Sequence, residues 1–162
     1  MFRHKLFVAS TILAVLVSSL IWVGTSKATP PTGVTSEPIT SGSLPEPISA
    51  KFKPQSTVVH TDVTRIAMIK QTVTPGGSTG WHQHGGPIWV VVASGTLTLY
   101  DGGDPSCTGV DYAPGSAFMD PGTHTHNARN EGSENVVVFV TFMLPEGGAT
   151  RIDIPAPGNC PF

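Results

Sequence analysis

Residues 80–100 read GWHQHGGPIWVVVASGTLTLY, and the reading of this stretch decides the fold. Its second half holds two short apolar runs, residues 88–92 and 96–100, on either side of Ala93-Ser94-Gly95. Branched and aromatic residues of this kind favour a pleated surface, and a Gly-containing break between two such runs predicts a hairpin. In the second run Leu97 and Leu99 alternate with Thr96 and Thr98, the period of a half-buried strand with the leucines inward. Its first half carries His82 and His84 two residues apart, so an extended chain projects both rings from one face.

The same pattern continues outward. Residues 65–73 end at Pro75-Gly76-Gly77, 110–112 at Ala113-Pro114-Gly115, 116–119 at Asp120-Pro121-Gly122 and 124–129 at Asn130-Glu131-Gly132. Residues 136–144 are almost continuously apolar, which predicts a central strand buried on both faces, and Ile152 and Ile154 predict a last short strand. With 18 Gly and 15 Pro in 162 residues and only 12% charged residues, the composition favours strands and tight turns over helices. Trp81, Trp89, Phe118, Phe139, Phe142 and Met143 are expected in the core, with Trp81 and Met119 also placed to line a pocket.

The N-terminus has basic Arg3 and Lys5, an apolar run over 6–23, and small residues Ser26 and Ala28 at the −3 and −1 positions of a cleavage site. Residues 1–28 are therefore expected to be an export helix, cleaved after Ala28 or retained as a membrane anchor; both readings put the domain outside the cytoplasm. Residues 29–54, rich in Pro, Ser, Thr and Gly, are expected to be a disordered tether, and 55–162 the folded domain with a C-terminal tail. Removing the export segment leaves six basic against eleven acidic side chains. That balance excludes a nucleic-acid partner, which needs clustered Lys and Arg, and leaves the N-terminal segment as the only membrane contact. Cys107 and Cys160 suit an oxidising compartment, and a bridge between them pins the tail to the barrel.

Four of the six histidines form two i,i+2 pairs, His82 with His84 and His124 with His126 in GTHTHNARN. Two such pairs, each between turn signals, point to imidazoles converging on a divalent transition metal. His60 stands alone and is expected at the surface, and Asp120 is expected to bond within its own turn. No Ser-His-Asp order, phosphate loop or CxxC can be built from these residues.

The run from Gly76 through His82 and His84 to Gly95, and the run Gly115-x5-Pro121-x4-His126-x3-Asn130, resemble the two signature motifs of the cupin superfamily. The resemblance implies an all-β, antiparallel double-sheet jelly-roll barrel of six to eight strands. It implies His82, His84 and His126 as ligands of one divalent ion (Fe, Mn, Zn, Ni or Cu), and turn roles for Gly95, Gly115 and Asn130. The family's usual glutamate is replaced by Ile88, leaving the ion's charge uncompensated and a coordination position open to water or a small anionic ligand. His124, two residues before the third ligand, is expected either as a fourth ligand or acid/base group or at the barrel mouth. The implied function is an exported metal-binding barrel, as a metal-dependent, dioxygenase-like enzyme or as a non-catalytic module capturing a small ligand or metal. Jelly-roll edges make a homodimer an expectation as well.

Overall fold

The computed structural model describes residues 28–52 and 59–162, with side chains from 50 to 61 outside that description. The export segment and the side chain of His60 therefore lie outside the described residues. Among the described residues no helix is long and apolar enough to cross a membrane.

Ten strands follow in chain order: β1 Thr32–Phe52, β2 Val59–Ser78, β3 His82–Gln83, β4 Ile88–Ser94, β5 Leu97–Asp101, β6 Val110–Tyr112, β7 Ala117–Asp120, β8 His126–Arg129, β9 Val136–Leu144 and β10 Ile152–Asp153. One layer runs β1-β2-β9-β4-β7 and the other β10-β3-β8-β5-β6, with β2 joined to β8 through Ser78 and Arg129. Every ladder is antiparallel, so the chain forms a nearly closed all-β barrel. The core between the layers is built on Val73, Val92, Leu97, Val136, Val138 and Leu144.

Five expectations need correction. The segment expected as a tether is largely β1, and Thr29 already belongs to the fold, since its Oγ1 accepts the Trp81 N–H at 2.7 Å. β1 touches the core through Val34 and is otherwise held by its backbone ladder to β2 and by polar pairs such as Lys70 with Glu37 at 3.2 Å, which hydrophobic patterning does not register. Its register slips between Ser43 and Ile48, where Pro45 and Pro47 interrupt the ladder. Residues 93–95 make no hairpin: β4 pairs with β7 and β9, β5 with β6 and β8, and Gly95, at φ 68°, carries the chain from one layer to the other.

β9 is central, between β2 and β4, but alternates instead of being buried on both faces. Phe139 is 39% exposed and Trp89 41%, so both lie outside the core expected for them. Thr98, expected outward, is buried and donates to Asp111 at 2.7 Å. The disulfide between Cys107 and Cys160 is present. Beyond it Phe162 stacks on Trp81 at 6.4 Å and lies under the Arg129 guanidinium at 4.2 Å, so the tail is pinned to the barrel wall.

Candidate metal centre

The histidine cluster follows from register. β3 pairs with β8 so that His82 stands directly opposite His126, and cross-strand partners share a face with Cβ atoms about 5 Å apart. His84, two residues beyond His82, returns to that face, and its backbone N–H donates to Gly122 O at 2.8 Å. The three rings are 4–6% exposed and their nitrogens lie within 4.8 Å of one another.

Each ring is locked through Nδ1. That of His82 donates to Gly80 O at 2.8 Å, that of His84 to Thr150 O at 2.6 Å and that of His126 to His124 O at 3.0 Å. A carbonyl only accepts, so each ring carries a proton on Nδ1, and in a neutral ring Nε2 is then the bare nitrogen. Gly80 is needed at its position: its φ is +68° and a Cβ there would meet Thr29 O at 2.0 Å.

Burial, reinforced by His126, His84 and Arg151, pushes His82 down to about 2. Burial and His126 push His84 down to about 4, against the pull of the Thr150 carbonyl and Asp120. These two rings are neutral at pH 7, the form that binds metal.

The donor set fits a divalent ion. Two imidazoles at about 2.0–2.1 Å from one tetrahedral ion stand about 3.3 Å apart, and Nε2 of His84 is 3.3 Å from Nε2 of His126. With both rings neutral and protonated on Nδ1, two lone pairs meet at that distance, and a shared cation would relieve their repulsion. The widest nitrogen separation, up to 4.8 Å, must close by about 1.5 Å to reach the same tetrahedral spacing.

The cluster opens on an inner cavity of about 50 Å³, room for a few water-sized groups, whose walls include Ile88, Val90, Phe118 and Phe142. Ile88 thus lines the cavity. A wider groove of about 330 Å³ lies at the mouth, bordered by Tyr100, Tyr112, Met119, Asp120 and His124, with His126 common to both spaces. Trp81 is buried away from both.

His124 stands at this mouth, outside the three-ring cluster. It precedes the start of β8, so strand alternation does not align it with His126; its ring is half exposed and pairs with Asp101 at 3.1 Å.

Asp120 does more than the turn bond expected of it. Its Oδ1 accepts the Gly122 N–H at 2.7 Å while Oδ2 lies 3.3 Å from Nδ1 of His126. Burial works to raise the Asp120 carboxyl, but the hydrogen bond and charge of His126, with the Gly122 N–H, outweigh it and hold the group below the usual carboxylate range. The Asp-Pro-Gly turn signature concealed this second contact, which joins the end of β7 to the start of β8 across residues 121–125. Asn130 holds its turn by donating to Val73 O at 2.8 Å and Glu134 O at 2.7 Å.

An antiparallel barrel with three clustered, buried histidines is compatible with metal binding. Residues 69–142 match the sequence family described as the Cupin domain. That match spans just under half of the chain and includes all three histidines, and the barrel is similar in fold to a cupin-like structure. Similar solved structures include a cupin-like protein of Thermotoga maritima, 19% identical with TM-score 0.50, the alignment covering 56% of this chain and 65% of that one. A cupin superfamily protein of Desulfitobacterium hafniense is 12% identical with TM-score 0.48, covering 74% and 84% of the respective chains. The Cupin_2 domain of an XRE family transcriptional regulator of Enterobacter cloacae is 18% identical with TM-score 0.47, covering 70% and 99%. No curated protein matches the sequence.

Proposed function

We propose that this protein is an exported metal-binding cupin in which His82, His84 and His126 hold one divalent transition ion, with open coordination positions that admit a small, anionic ligand. The observation that carries the reading is the common locking of three Nδ1 atoms onto carbonyls, which leaves three bare, buried Nε2 atoms converging. The ion supplies Lewis acidity: it polarises a bound ligand or acidifies a bound water. Among the described residues the inner cavity has no carboxylate or lysine in its walls, and this favours ligand capture over acid–base turnover. Placement outside the cytoplasm is supported by the disulfide and by the character of residues 1–28.

The test is metal analysis of the purified protein, and zinc, manganese, iron, nickel and copper titrations of the metal-free form, beside His82→Ala and His126→Ala. Stoichiometric binding of one ion that both substitutions abolish is expected. A wild type that takes up none of the five overturns the reading.

A further inference from the structure

Asp120 is the only buried carboxylate among the described residues, 4% exposed. In the β4–β7 ladder it stands directly opposite Ile88, the cavity residue at the place of the family's glutamate. A buried carboxylate is costly unless a positive partner and hydrogen bonds compensate it. One oxygen is satisfied by the Gly122 N–H; the other faces Nδ1 of His126 at 3.3 Å and Nδ1 of His124 at 4.0 Å. Nδ1 of all three rings meets a backbone carbonyl, but His126 adds this carboxylate beside its carbonyl, His124 O, whereas His82 and His84 have the carbonyl alone. The His126 ring thus has a full negative charge behind it and its bare nitrogen in front.

We propose that Asp120 is the carboxylate of this site, moved out of contact with the ion and acting on it through the His126 ring. It is a positioning residue. Its charge holds His126 in the Nδ1–H form, makes Nε2 a stronger donor and offsets part of the ion's charge, the part that Ile88 cannot supply. The inference rests on the metal reading above.

The experiment compares zinc affinity of wild type, His126→Ala and Asp120→Asn, together with 15N spectra of the histidine rings in the metal-free proteins. Asp120→Asn should weaken zinc binding 10- to 100-fold. An Asn that still accepts the Gly122 N–H must turn its NH2 toward His126. The His126 spectrum should then move toward the Nε2–H form while those of His82 and His84 stay in place. Zinc affinity within twofold of wild type, or an unchanged His126 spectrum, overturns the proposal. If wild type itself binds no zinc, both readings fail; if wild type binds and Asp120→Asn binds equally, only this one does. A readout that needs no variant is the carboxyl 13C resonance of Asp120 in the wild type: it should shift as zinc is added, and a stationary signal overturns the proposal even where Asp120→Asn does not fold.

Discussion

Acidifying the metal-free protein should destabilise it steeply, well above the pH at which its carboxylates titrate. The perturbation is a change from pH 8 to pH 5 with a chelator present. His82 and His84 have folded values of about 2 and about 4 against 6.5 for an unperturbed ring. Both are depressed, so the unfolded chain takes up protons first. The stability they contribute is full above about 6.5, is lost as pH falls below it, and goes on falling until the folded values are passed. At pH 5 each unfolded ring is almost fully protonated while each folded ring is not, which costs about 2 kcal/mol per ring and roughly 4 kcal/mol for the pair. That is a large part of the 5–15 kcal/mol that typically holds a domain together. Urea unfolding at pH 8, 7, 6 and 5 measures it directly. The double variant His82→Gln/His84→Gln should show a much flatter profile. A wild type that loses less than about 1 kcal/mol over this range, or a double variant that loses as much as the wild type, refutes the reasoning.

Opening the Cys107–Cys160 bridge, which spans 53 residues, should cost about 4 kcal/mol by loop entropy, read as a lower urea midpoint for Cys107→Ser under oxidising conditions. Because Phe162 stacks on Trp81, the same variant should alter tryptophan fluorescence in the native state; identical midpoints and spectra would remove the pin. Gly80→Ala should cost about 1–3 kcal/mol through its positive φ alone. It should also weaken zinc binding, because the backbone shift needed to clear Thr29 displaces the carbonyl that locks His82; unchanged zinc affinity would contradict that link.

Where side-chain pattern and turn chemistry act together, the elements were legible in advance. β6 lies at 110–112 and β9 at 136–144 as expected, each bounded by Gly, Pro or Asn. The failures share a physical cause. β1 earns its place through backbone pairing, which leaves little trace in hydrophobicity, and the path from β4 to β5 depends on which neighbours each strand finds after the chain has crossed layers. A period of two made His82 and His84 legible as a pair, but it paired His124 with His126 equally well, and only the motif resemblance singled out His126 for the cluster. The carbonyls that aim them were not: Thr150 lies 66 residues from His84, and no local pattern links the two. Asp120 carried a strong turn signal, so its contact with His126 stayed hidden until the path of residues 121–125 was known.

β1 also bears on how copies of this protein meet. Among the described residues it is paired only with β2, so its far side there is the open border of a long ladder, the kind of border that recruits strands from other chains and seeds aggregates. Pro38, Pro45 and Pro47 remove three amide donors from β1, and three register slips break its regularity. A chain lacking residues 29–52 would instead present the uninterrupted 65–73 run of β2 as a template. The polar, proline-studded strand is thus a guard for solubility, and its composition, unsuited to any core, is what that task requires.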